Sequence, residues 1–108
     1  MLKNPSGMLK TIAEMQKRVT QINDEISVTI FHGEAAQGLV KVSMNGKGEI
    51  QRVDISPAVM AEGAETVGDL VAVAARKANE AKETELKKKM SGITSGLLPL
   101  GIKIPGLG

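Results

Sequence analysis

The apolar residues nearest the N-terminus fall at Met8, Ile12, Met15, Val19, Ile22 and Ile26, four and three residues apart in turn. That is the heptad repeat of a helix with one apolar seam, in which Ile12, Val19 and Ile26 occupy one core position and Met8, Met15 and Ile22 the other. A helix from about Pro5 to Glu25 with such a seam has to lie against a partner helix. Immediately afterwards the period drops to 2. Ile26, Val28 and Ile30 alternate with Ser27 and Thr29, Val40, Val42 and Met44 with Lys41 and Ser43, and Gln51, Val53 and Ile55 with Arg52 and Asp54. The alternation predicts three half-buried strands. Asn45-Gly46-Lys47-Gly48 has the left-handed preferences of a tight hairpin between the second and third. His32 to Gln37, around Gly33, reads as a looser connection between the first and second. The switch of period therefore predicts an α+β fold in which a three-stranded antiparallel meander rests its apolar face on helices.

The second half returns to helical spacing. Ser56-Pro57 suits the N-cap and first position of a short turn through Met60. A long helix is expected from about Thr66, with Thr66 and Asp69 as a capping box. Its stripe of Val67, Leu70, Val71, Ala74, Ala75, Ala78 and Ala81 is small enough to permit close approach. Past Ala81 the run Lys82-Glu83-Thr84-Glu85-Leu86-Lys87-Lys88-Lys89 offers only Leu86 to a core, so this part is expected to project into solvent as far as a C-cap at Gly92. Residues 93–108, with Pro99, Pro105 and four glycines among Leu97, Leu98, Leu100, Ile102, Ile104 and Leu107, carry no helical or strand period. The organisation is thus α-β-β-β-α over residues 1–92, followed by a Pro/Gly-rich apolar tail at 93–108.

Composition limits how such a chain can be stable and what it can do. Phe31 is the single aromatic residue among 108, and small aliphatic side chains in a short chain bury little area each. That points to an obligate oligomer, with Met8, Ile12, Met15 and Val19 of the first helix and Val40, Val42 and Met44 of the sheet as the expected contact residues between copies. Cysteine is absent, so there is no disulfide framework and no thiolate metal site. No signal peptide or membrane span is recognisable, and a cytoplasmic protein is expected. His32 is the only histidine and has no partner for nucleophilic or acid–base chemistry. Gly46 and Gly48 are not followed by the helix of a phosphate-binding loop, and the carboxylates lack metal-ligand spacing. No catalytic residue, metal or cofactor is expected.

Charge is unevenly placed. Residues 1–22 carry Lys3, Lys10, Lys17 and Arg18 against Glu14 alone, residues 23–69 carry three bases against eight acids, and residues 70–108 return to seven bases against three acids. Basic ends and an acidic middle give the molecule a directed field, which a polyanion can meet at the helices. Lys3, Lys10 and Lys17 recur every seven residues on the outer side of the first helix.

Several local sequences resemble those of the YbaB/EbfC family of bacterial nucleoid-associated proteins. They are Met8-Leu9 and Glu14-Met15-Gln16-Lys17, Gly38-Leu39-Val40-Lys41-Val42-Ser43-Met44-Asn45-Gly46, Arg52-Val53-Asp54-Ile55-Ser56-Pro57, Asp69-Leu70-Val71-Ala72-Val73-Ala74, and the tail from Gly96 through Leu98-Pro99 to Lys103-Ile104-Pro105. The resemblance implies a tweezer-like homodimer with joined sheets and protruding helical arms, located in the nucleoid, that binds double-stranded DNA and takes part in nucleoid organisation and gene regulation. On that reading Lys3, Lys10, Lys17 and Arg18 of the first helix and Lys82, Lys87, Lys88 and Lys89 of the second contact phosphates. Phosphate contacts position a protein without reading sequence, and no cluster of base-reading side chains stands out. The alternative is a protein-interaction scaffold or chaperone-like clamp using the same arms, with partners in replication or repair left open.

Overall fold

A computed structural model describes the backbone of residues 5–97 and the side chains of residues 7–93. Helix α1 (Pro5–Val28) leads into strands β1 (Ile30–Ala35), β2 (Val40–Asn45) and β3 (Ile50–Ile55), then the short helix α2 (Pro57–Met60) and the long helix α3 (Ala64–Leu97). The strands form one antiparallel sheet in the order β1-β2-β3. This is the α+β meander between two helices that the change of period predicts. The molecule measures 70 × 22 × 16 Å with a radius of gyration of 19.8 Å, against about 13 Å for a compact chain of 100 residues. It is a sheet with a long arm.

Helix α1 runs to Val28, beyond the expected end at Glu25, and β1 begins only at Ile30. The reason is that Ile26, where the heptad and the alternating pattern overlap, belongs to the heptad: it is 4% exposed, whereas Val28 is 76% exposed. Ser27 and Thr29, expected as the wet positions of a strand, instead cap the helix end, donating to the carbonyls of Asp24 at 2.7 Å and Glu25 at 2.6 Å. The segment 32–37, expected as a loop, is therefore mostly strand. Its inward positions are Phe31, Gly33 and Ala35. A left-handed turn at Ala36, Gln37 and Gly38, with φ of 53°, 56° and 90°, then reverses the chain.

One face of the sheet carries both helices. Ile22, Ile26, Phe31, Met44 and Ala78 form one buried cluster, and Ala35, Val40, Val42, Val59 and Ala74 a second. The alanines of α3 matter because the helix passes directly over Gly33. A Cβ built there would lie 2.0 Å from the Ala74 carbonyl oxygen and 2.3 Å from the Ala78 nitrogen. Gly46 plays the same part at the hairpin, where a Cβ would lie 1.9 Å from the Ile26 oxygen. The hairpin itself is organised by Asn45, whose Oδ1 accepts from the backbone of Lys47 and Glu49, each at 3.0 Å, and Gly48 takes φ of 83°.

The Ser56 cap is present: its hydroxyl accepts from the Val59 amide at 3.4 Å, with Pro57 opening α2. Helix α3 starts at Ala64, after Gly63 with φ of 103°, so Thr66 and Asp69 lie inside the helix and not at its cap. Nor does α3 end at Gly92. It continues through residues 93–97, and beyond Ala81 it is not a bare projection, because Leu86, Met90 and Ile93 pack against the Ile22–Phe31 cluster. Residues 98–108 of the expected tail lie outside the described residues.

Candidate nucleic-acid interface

The seam of α1 finds its partner helix within the chain. Glu25 of α1 meets Lys89 of α3, while Thr11 and Met15 share a groove with Gly92 and Ile93. Lower numbers on α1 face higher numbers on α3, so the two helices run antiparallel and together form the arm. Ile22 and Ile26, nearest the sheet, are buried; Met15 and Val19 are half-buried; Met8 and Ile12 are each 39% exposed. The arm opens progressively toward its tip.

The expected phosphate contacts fall into two groups. Lys10, Lys17, Arg18, Lys87 and Lys88 are exposed, and no ion pair among the described residues engages them. Lys82 and Lys89 are held within the protomer, Lys82 with Nζ 3.5 Å from Glu83 Oε1 and its side chain only 17% exposed, Lys89 with Nζ 3.2 Å from Glu25 Oε2. Exposed pairs of this kind contribute about 0–1 kcal/mol, so Lys89 fastens α1 to α3 weakly. Lys3 lies outside the described residues. Arg18 and Lys89 also flank the groove between the helices, about 420 Å³, with Glu14 on the same rim.

Sequence reasoning passed over two further bases, Arg76 and Lys77, both exposed on α3. The signal was a spacing of eleven, three helical turns, that relates them to Lys87 and Lys88. The two lines differ. Glu80 and Glu83 interrupt the one from Arg76 to Lys87, whereas Thr84 stands between Lys77 and Lys88.

The expected dimer contacts on the sheet are placed as follows. Val40 and Val42 are fully buried and Met44 is 5% exposed within a single chain, because α3 covers β1 and β2. They are spent on the protomer's own core. What remains open is β3, where Ile50 is 55% and Val53 41% exposed. Pairing of Met44 with Ile50, Ser43 with Arg52 and Val42 with Val53 leaves Gln51 as an extra residue. That bulge puts Ile50 and Val53 on one face in spite of their odd spacing. Nothing in the alternation of β3 announces it.

The opposite face of the sheet is polar and largely self-paired. Lys41 Nζ lies 3.8 Å from Glu34 Oε1, Arg52 Nε lies 2.7 Å from Asp54 Oδ1, and His32 Nδ1 lies 2.9 Å from Ser43 Oγ. Among the described residues no group of His, Cys, Asp and Glu is placed to hold a metal, and no helix is long and apolar enough to cross a membrane.

A solved structure similar to this one is that of the uncharacterized protein HP0035 from Helicobacter pylori, with a TM-score of 0.69 and 22% identity over 86% of this chain and 99% of that one. At that identity the likeness establishes the fold. The YbaB/EbfC DNA-binding family matches residues 2–97, which takes in every described element. The chain belongs to the YbaB/EbfC DNA-binding family.

Proposed function

We propose that the protein is a nucleoid-associated homodimer whose arms hold double-stranded DNA by its phosphates with low sequence specificity, serving nucleoid organisation and gene regulation in the cytoplasm. The observation that carries this reading is the contrast in how bases are used. Lys41 and Arg52 on the sheet are paired with carboxylates, while Lys10, Lys17, Arg18, Lys87 and Lys88 stand exposed on the arm without an ion-pair partner among the described residues. Unneutralised cations on a projecting rod suit a polyanion.

Helical geometry sharpens the assignment. At about 100° per residue, Lys10 and Lys17 point away from the seam of α1, and Lys77 and Lys88 form one line on α3, from which Lys87 stands about 100° away. We assign these two lines to DNA, with Arg18 beside the first. Lys82 and Lys89 act mainly within the protomer, and Lys3, seven residues before Lys10 in sequence, is assigned to phosphate contact with Lys10 and Lys17. The homodimer forms at β3, whose outer edge has no neighbouring strand among the described residues and whose Ile50 and Val53 are open to solvent. A second copy there covers an apolar edge strand that a lone protomer leaves exposed, and it replaces Val40, Val42 and Met44 as the sheet contribution to the interface.

A gel-shift comparison on duplexes of unrelated sequence tests the assignment. Lys17→Glu with Lys88→Glu should abolish the shift for every duplex at protein concentrations where the unsubstituted protein binds fully. Unaltered binding by that variant would overturn the reading.

A further inference from the structure

Strand β3 ends the sheet, with β2 on one side and no strand on the other among the described residues. Its residues divide by face. Pairing with β2 sets Val53 opposite the buried Val42, on the face that carries the helices, and sets Arg52 opposite Ser43 and Asp54 opposite Lys41, on the polar face. Val53 is 41% exposed, and the Arg52 and Asp54 side chains are 73% and 46% exposed. An edge with unpaired backbone groups and an open apolar residue is a template for another strand.

A second β3 related by two-fold symmetry has to run antiparallel, and opposed residues of antiparallel strands share a face. One residue therefore lies on the axis, facing its own copy. Arg52 on the axis would oppose guanidinium to guanidinium, Asp54 would oppose carboxylate to carboxylate, and Gln51 would set Arg52 against Ile50. With Val53 on the axis, valine meets valine on the apolar face, and on the polar face Arg52 opposes the partner's Asp54, twice by symmetry. This register also extends a row already present on the sheet. Glu34 is paired with Lys41, and Lys41 with Asp54; the partner's Arg52 would come next, so that the sign of charge alternates across four strands. Both hydrogen bonds from Arg52 to its own Asp54, at 2.7 and 2.9 Å, come from Nε, and a guanidinium has further N–H donors for a second carboxylate.

We infer, taking the homodimer at β3 proposed above as given, that two chains join edge to edge with Val53 on the two-fold axis. The result is one six-stranded sheet with both helix layers on the same face and two Arg52–Asp54 pairs across the junction.

The chain contains no cysteine, so Val53→Cys gives a single reporter. Its Cα would lie about 4.5–5.5 Å from its copy, within the span of about 4.4–6.8 Å that a disulfide bridges. Mild oxidation should cross-link nearly all of the dimer. Gln51→Cys and Ile55→Cys, each two residues from the axis and so four out of register with their own copies, should not cross-link. Arg52→Asp and Asp54→Arg, each folded by circular dichroism, place like charges across the junction and should weaken self-association by roughly tenfold or more. An equimolar mixture of the two restores both pairs and should recover dimer in sedimentation equilibrium. Cross-linking that favours Gln51→Cys or Ile55→Cys would overturn the register while leaving the β3 interface standing. So would charge variants that self-associate as tightly as the unsubstituted chain, or that gain nothing on mixing. A dimer that none of the three cysteines cross-links, or an unsubstituted chain that sediments as a monomer, would overturn the β3 interface together with the register.

Discussion

Replacing Gly33 by alanine is the smallest change that tests how the arm is seated on the sheet. The added methyl would stand 2.0 Å from the Ala74 oxygen and 2.3 Å from the Ala78 nitrogen. Both neighbours are backbone atoms, so no side chain can swing away. Helix α3 has to withdraw from β1 by more than 1 Å to restore an ordinary contact near 3.4 Å. A gap of about 0.5–1 Å already forfeits a quarter to a half of each dispersion contact. Here the gap opens beside Ala74 and Ala78, which are fully buried, and across both core clusters. Overpacking typically costs about 1–3 kcal/mol, and a clash with rigid backbone belongs at or above the upper end. At about 4–8 °C per kcal/mol for a domain near this size, a cost of about 3 kcal/mol should lower the melting temperature by roughly 12–24 °C. The measurement is thermal unfolding followed by circular dichroism, with all variants at one protein concentration because association shifts the midpoint. Gly68→Ala is the control: the same methyl, placed on α3 itself, meets nothing within 4 Å, and should stabilise by about 0.5–1 kcal/mol. A Gly33→Ala melting point within about 2 °C of the unsubstituted protein would refute the close crossing of α3 over β1.

Other outcomes follow from the same geometry. Ala36→Gly relieves a left-handed residue with φ of 53° and should raise stability by up to about 1 kcal/mol, read as a higher urea midpoint with unchanged slope. Val53→Asp places a charge on the open face of β3 and should convert the proposed dimer to monomer in sedimentation equilibrium, with helix content preserved; an unaltered mass would move the interface elsewhere. Lys88→Glu should weaken duplex binding more than Lys87→Glu in fluorescence anisotropy, since only Lys88 continues the line of Lys77 on α3. Lys89→Gln, which removes a weak clamp to Glu25 at 3.2 Å, should cost at most about 1 kcal/mol of stability and change affinity less than Lys88→Glu.

Much of the fold could be read from periodicity, and the failures have physical causes. The heptad of α1, the alternation in β2 and β3, the Asn45 hairpin and the Ser56 cap all express local preferences that the tertiary structure keeps. Strand β1 was hidden because its inward positions are Phe31, Gly33 and Ala35, of which only one is large, while Ile26-Val28-Ile30 mimics a strand at the end of a helix. Gly33 looked like a loop residue, although it is needed for close approach, a property visible only once Ala74 and Ala78 lie above it. The end of α3 was undervalued because Leu86, Met90 and Ile93 are sparse among lysines, yet they suffice when α1 supplies the other half of the seam. Bases were visible by composition alone. That Lys82 and Lys89 turn inward to carboxylates, and that Arg76 and Lys77 stand exposed, required the helices to be placed.

The central claim is that unneutralised bases on the arms hold the phosphate backbone, and the salt dependence of binding measures it most directly. Binding isotherms on two duplexes of unrelated sequence, each taken at several salt concentrations, should give parallel lines of log K against log salt. With about four to eight phosphates neutralised by the dimer, the slope should be roughly −4 to −7, alike for both duplexes. A flat line, or a steep one for a single duplex only, would contradict the account.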